Sequence, residues 1–269
     1  MNPNKALWEK GDFTRLAQTM RESGDELVES LNVQPGMDVL DLGCGDGTTA
    51  LPSAFRGAKV LGVDIASNLV AAGQARAREA GLTNIRFQEG DASKLDAIAD
   101  DSFDLVVSMF GAMFAPRPFD VAREMVRVTR RGGRIVMGNW IPGDPTLIAR
   151  ILQTCALYTT PPPEGFVSPI SWGVEDSVRE RFTAAGVRDD DIRCERATYT
   201  FRFPGPPSAF LDVFRSYYGP TMNAYEAAAS TGREADLHTE LTQLFERENR
   251  GDANHSEIAA TYLKVMVDR

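Results

Sequence analysis

VLDLGCGDGTTA, residues 39–50, ends an apolar run at Asp41 and then sets glycines at alternate positions, Gly43, Gly45 and Gly47, with a second acid at Asp46. A strand that runs into bare backbone and then a helical pattern is a nucleotide-binding arrangement. Glycine permits φ > 0 and lets a ligand lie against the chain, and the helix start offers free N–H groups. The dinucleotide fingerprint spaces its glycines as G-x-G-x-x-G, whereas the spacing here is G-x-G-x-G. Carboxylates at Asp41 and Asp46 would repel a pyrophosphate and attract ammonium or sulfonium charge. The loop therefore points to a cationic nucleoside without phosphate.

Working outward, near-continuous apolar blocks recur at 37–42, 58–63, 84–87, 103–109 and 134–138, with helical patterns at 47–56, 67–80 and 118–129. Strands buried on both faces and alternating with helices predict an α/β fold with a mostly parallel sheet. In such sheets ligands bind beyond the carboxyl ends of the strands. Asp64 ends the second block, where a carboxylate can accept both hydroxyls of a ribose, and Ile65 follows it. Asp91 and the backbone of Ala92 end the third and can read an adenine amino group. Met109 and Phe110 end the fourth, either packing on a purine or simply filling core.

These residues resemble the class I S-adenosylmethionine-dependent methyltransferases: VLDLGCGDG at 39–47, GVD at 62–64, EGDA at 89–92, FDLVVS at 103–108 and RRGGRIVMGNW at 130–140. The likeness is nearest to small-molecule enzymes related to the quinone C-methyltransferases. It implies a Rossmann-like, seven-stranded sheet whose last strand, TYLKVMVD at 261–268, is antiparallel, with helices on both faces and a helical insertion. It also implies S-adenosyl-L-methionine as methyl donor and S-adenosyl-L-homocysteine as product. Asp41, Gly43, Gly45 and Gly47 would surround the methionine part, Asp64 would hold the ribose, and Asp91 and Ala92 would read the adenine, with Cys44 and Ile65 also among the cofactor-binding residues. The expected divisions are an N-terminal helical cap at 1–35, a cofactor-binding core at 36–140, a substrate-side helical region at 141–257 with a sixth strand near 197–203, and a final strand at 258–269.

The remaining sequence bounds the acceptor without identifying it. A net charge of −9 and a pI near 4.9 argue against a nucleic acid. The fourth strand also lacks the Asn/Asp-Pro-Pro-Tyr run of enzymes that methylate nucleic-acid bases. Cys44, Cys155 and Cys194 form no C-x-x-C pair, which suits a reducing, cytoplasmic setting. No signal core or membrane-length apolar run is present, and no carboxylate cluster suggests a metal. The histidines, His238 and His255, read as surface residues, so no catalytic base is assigned. A small organic acceptor is expected to meet aromatics, foremost Trp140, with Tyr217 from the inserted region. Trp8 and Phe13 would form a lid or a helix merely packed on the sheet. An NAD(P)-dependent oxidoreductase and a non-catalytic S-adenosylmethionine-binding regulator are the alternatives, and the oligomeric state is undetermined.

Overall fold

The opening stretch supplies the middle of the sheet. In the computed structural model, which describes residues 4–162 and 164–269, Asp38–Leu42 forms β1. It pairs in parallel with Lys59–Asp64 (β2) on one side and Phe103–Met109 (β4) on the other. Ile85–Glu89 (β3) continues the parallel sheet beyond β2, and Thr129–Trp140 (β5) beyond β4. Ser256–Asp268 (β7) runs antiparallel between β5 and the edge strand Ile192–Phe203 (β6), giving the order β3-β2-β1-β4-β5-β7-β6. The fold is thus the Rossmann-like one that the sequence predicts. The strand order reverses between β1 and β4, and that junction is where a cleft opens.

Both faces of β1 are covered, which is why it reads as an unbroken apolar run. Leu40 and Leu42 enter one core and Val39 the other. The crossover helices are Ala50–Phe55 (α4), Ser67–Glu79 (α5) and Pro118–Val128 (α6). The N-terminal helical pattern divides into Asn4–Glu9 (α1), Phe13–Ala17 (α2) and Arg21–Ser30 (α3), with a 3₁₀ turn joining the last two. Residues 1–3 of the expected cap, and Pro163 of the proline-rich loop, lie outside the described residues. Between β5 and β7 come Leu147–Ala156 (α7), Glu175–Ala184 (α8), Pro207–Tyr217 (α9), Gly219–Ser230 (α10) and Glu234–Glu248 (α11).

Several boundaries differ from the expected ones, three of them instructively. Helix α4 starts at Ala50 rather than 47, because Gly45 and Gly47 hold φ of 54° and 91° and the chain is still turning there. Strand β6 starts five residues early, where Arg193, Glu195 and Arg196 hide the alternation; charges suit an edge strand. Strand β5 extends back through Arg130–Gly133, whose polar residues and glycines do not read as strand. Much of the inserted region's aromatic content is core: Phe210, Phe214 and Phe245 are fully buried and meet edge-to-face. No helix among the described residues is long and apolar enough to cross a membrane.

Candidate active site

Beyond the carboxyl ends of β1, β2 and β4 lies a cleft of about 960 Å³, counting the space open at its mouth, within the size range of small-molecule sites. The glycine loop forms its floor. Gly43 has φ +72°, and a Cβ there would lie 2.6 Å from the Cα of Gly111, so two backbones touch where no side chain fits. Gly45 has φ +54° and nothing within 4 Å of where a Cβ would stand. That is open space above bare backbone, a cradle for a ligand. Gly47 departs from expectation: its missing side chain would point at Leu51 and Phe87, in the core rather than the cleft.

The two loop acids part ways. Asp46 is 1% exposed and ion-paired with Arg21 at 3.1 Å and Arg76 at 3.2 Å, so its charge is already balanced. Asp41 is 2% exposed and lines the cleft with Oδ2 unpartnered. Burial first, and then the nearby Asp64 carboxylate, push its pKa up to about 8. The attraction for a cation therefore belongs to Asp41, not to both acids. Such an orphaned buried carboxylate fits a donor with sulfonium and ammonium charges.

Asp64 lines the cleft from the end of β2. One oxygen accepts Gly45 N–H at 2.8 Å and the other accepts Ala66 N–H at 2.9 Å. A carboxylate has about four acceptor positions, so two remain for a diol. Burial raises its pKa, while the backbone donors oppose the shift. Replacing Asp64 with Ala is expected to weaken S-adenosylmethionine binding by about 1.5–3 kcal/mol, the range for losing charge-assisted hydrogen bonds. Calorimetric titration checks this, and an unchanged affinity would place the ribose elsewhere.

Ile65, Cys44, Ala92, Met109 and Phe110 share the cleft wall. Asp91 does not. Its carboxylate turns away to accept Ser93 N–H at 2.9 Å and the Ser93 hydroxyl at 2.7 Å. Phe110 sits at φ +62°, a conformation rare for a bulky residue, with its N–H bound to Gly138 O at 2.9 Å. Trp140 stacks directly behind the Phe110 ring, with centroids 3.7 Å apart and planes at 5°. Trp140 is 3% exposed and is set back one layer from the cleft. Tyr217 also lies outside the wall. Its neighbour Tyr218, at the extended junction between α9 and α10, faces Trp8 and Phe13 at 6.1 and 6.4 Å.

Trp8 and Phe13 do line the cleft, facing the glycine loop. Helix α1 has no fully buried residue; Trp8 packs partly buried on the core beside Phe114, and polar contacts fasten the rest. Asn4 donates to Phe114 O, Lys5 pairs with Glu89 and donates to Ile65 O at 3.0 Å. Glu9 accepts Ser67 N–H at 3.0 Å and the Ser67 hydroxyl at 2.7 Å, which, the hydroxyl foremost, hold its pKa down to about 2. On the lid reading, these polar fastenings are what would have to open. Glu9→Ala should speed cofactor release about threefold, as expected for a weak surface contact; stopped-flow dissociation rates check it.

Tyr199, Met20 and Phe114 also face the cleft. Tyr199 was findable, since the alternation ATYTFRF puts it on one face with Phe201. What hid it was the order of the sheet, which brings β6 beside the N-terminal segment, where Tyr199 donates to Met20 O at 2.9 Å. The histidines are elsewhere: His238 meets the Tyr225 hydroxyl at 2.9 Å and His255 lies in an exposed turn.

Comparison with known proteins agrees with this geometry. Residues 40–137 match the family described as "Methyltransferase domain". The Mycobacterium tuberculosis protein Rv1403c is 36% identical over 245 residues, covering 90% of this chain and 86% of its own. The demethylmenaquinone methyltransferase of Bacillus velezensis is 36% identical over 115 residues, 42% of this chain and 49% of that protein. Among solved structures, the Haemonchus contortus phosphoethanolamine N-methyltransferase 2 in complex with S-adenosylhomocysteine superposes with a TM-score of 0.63 at 15% identity, covering 100% of this chain and 60% of that one.

Proposed function

The chain belongs to the class I S-adenosylmethionine-dependent methyltransferases, and from that premise we propose that its acceptor is a small, apolar organic molecule that takes the methyl group on a phenol- or quinol-type centre or an unprotonated amine, not on a carboxylate. The observation that carries this is the wall facing the glycine loop. It is built from Trp8, Phe13, Phe114 and Tyr199, and among the described residues no lysine, arginine or histidine lines the cleft. The ionisable side chains an anionic acceptor would meet there are, Cys44 and Tyr199 apart, carboxyl groups. The partial match to a demethylmenaquinone methyltransferase points the same way.

The bound cofactor supplies an electrophilic methyl on a good leaving group. The chain supplies position, the exclusion of water and a charge balance. Asp64 and the backbone around Gly45 hold the nucleoside, with Ala92 and Met109 at its base, and Asp41 balances positive charge. Gly43 and Gly111 bring the two loops together beneath it. Trp8 from α1 and Phe13 from the start of α2 close the site above as a lid. The Tyr199 hydroxyl is committed to Met20 O, and burial raises its pKa far above the usual range, so it is no proton acceptor. With no histidine or lysine among the described cleft residues, and with Asp41 and Asp64 assigned to the cofactor, we read the acceptor as acidic or nucleophilic in its own right. The unpaired cysteines support a reducing, cytoplasmic setting.

A panel of phenols, quinols, amines and carboxylates offered with methyl-labelled cofactor tests the reading. Transfer should go to apolar phenols, quinols or amines. Preferred transfer to carboxylates would refute it.

A further inference from the structure

Apart from Asp41 in the cofactor cleft, the buried carboxylates of this fold are met by an opposite charge or a set of donors. Asp46 has Arg21 and Arg76, and Asp144, after β5, has Arg196. Arg181, in the last turn of α8, breaks the pattern. It is the one buried arginine among the described residues, at 5% exposure. Its nearest electrostatic influence is Glu180, exposed and next to it in the chain, and burial is the larger effect on the guanidinium, lowering its pKa. Arginine does not lose its proton in proteins, so the charge stays.

Two idle donors belong to side chains in contact. The guanidinium lies 4.5 Å from the centroid of the Trp172 ring, and its Nη2 donates to Ser171 Oγ at 2.7 Å. Its Nη1 is buried without a partner, and so is the indole Nε1 of Trp172, a residue 1% exposed. The same 3₁₀ turn, Pro169–Gly173, covers the carboxyl end of β5. There Asn139 is fully buried with both side-chain polar atoms unpartnered. Orphaned polar groups are rare in folded proteins, and an uncompensated buried charge is rarer. Idle N–H donors with a full positive charge complement an oxyanion, which pairs strongly with a guanidinium.

We propose that Arg181 and Trp172 form a binding position for the carboxylate or phosphate group of a small molecule, separate from the cofactor cleft. Neither residue lines that cleft. Ser171, which accepts from Arg181, is half-buried, and the segment 164–168 that leads into its turn is exposed. This site stands whether or not the acceptor assignment does.

The chain has three tryptophans, so its indole N–H groups can be followed separately by ¹⁵N NMR, with Trp172→Phe assigning the Trp172 signal. Sodium phosphate and sodium acetate are titrated separately at constant ionic strength, with chloride as the balance. The Trp172 indole signal should shift saturably with at least one anion while those of Trp8 and Trp140 stay still. The anion that saturates at lower concentration identifies phosphate or carboxylate as the fitting group. Arg181→Gln should weaken that binding at least about tenfold, as for loss of a charge-assisted pair, and Arg181→Lys should recover part of it. No saturable shift with either anion, or a saturable shift that Arg181→Gln leaves intact, would overturn the proposal. Should the Arg181 variants fail to fold, the wild-type titration decides alone.

Discussion

Gly43→Ala is expected to lower the stability of the protein by about 3 kcal/mol, adding left-handed backbone strain to an overpacked contact. The residue holds φ +72°, and its new Cβ would press on the Cα and carbonyl carbon of Gly111 at 2.6 and 2.8 Å. Neither is the flexible end of a side chain, so the β1 and β4 loops must separate for it to fit. That separation opens the floor of the cleft, and S-adenosylmethionine affinity should fall with stability. Gly45→Ala is the informative partner. Its Cβ has nothing within 4 Å and φ is +54°, so it carries only the strain, about 1 kcal/mol. Its methyl would stand in the space the ligand needs, and its effect should appear in affinity far more than in folding. Urea denaturation midpoints and calorimetric affinities for the two variants check this. A Gly43→Ala protein as stable as wild type would show that the two loops are not wedged.

The contrast between these glycines marks what could be read from the sequence. VLDLGCGDG announces the turn, because only glycine tolerates three left-handed positions so close together. It does not say which glycine faces a ligand and which faces the core, since that depends on Gly111 and Phe87, both far along the chain. Asp64 was legible because a strand end fixes its place. The roles of Asp41 and Asp46 were not separable. Asp46 is neutralised by Arg21 from α3 and Arg76 from α5, and no local pattern brings those helices together. Trp140 was expected in the site from its position at a strand end. The left-handed turn at Phe110 sets another ring between it and the cleft, and that conformation has no sequence signature in a residue other than glycine. The tyrosine from β6 entered the site unannounced, because pairing across the antiparallel edge is a long-range property.

Asp41→Asn is expected to stabilise the cofactor-free protein at pH 7 while weakening its grip on S-adenosylmethionine. In the folded chain the Asp41 pKa is raised from 3.8 to about 8, first by burial and then by Asp64. Arg21 and Arg76 are already committed to Asp46 and do not relieve it. With a raised folded pKa, the native state keeps its proton between about pH 4 and pH 8 while the unfolded chain releases it. The contribution of Asp41 is therefore fully present below about pH 4, fades as pH rises, and is gone above about pH 8. Wild-type stability should slope downward across that window, and the variant should not. The difference at pH 7 is on the order of 3 kcal/mol in the variant's favour, net of the hydrogen bond its amide leaves unmade. Ligand binding reverses the preference. A sulfonium or ammonium placed at Asp41 favours the carboxylate, so cofactor uptake should release a proton and affinity should climb with pH until about pH 8. S-adenosylhomocysteine lacks the sulfonium charge and should show the shallower climb if that charge is what Asp41 faces. Calorimetry in buffers of different ionisation enthalpy counts the proton directly. A wild-type affinity flat from pH 6 to pH 9, or an Asp41→Asn protein less stable than wild type at pH 7, would mean that Asp41 is already ionised and paired in the free protein.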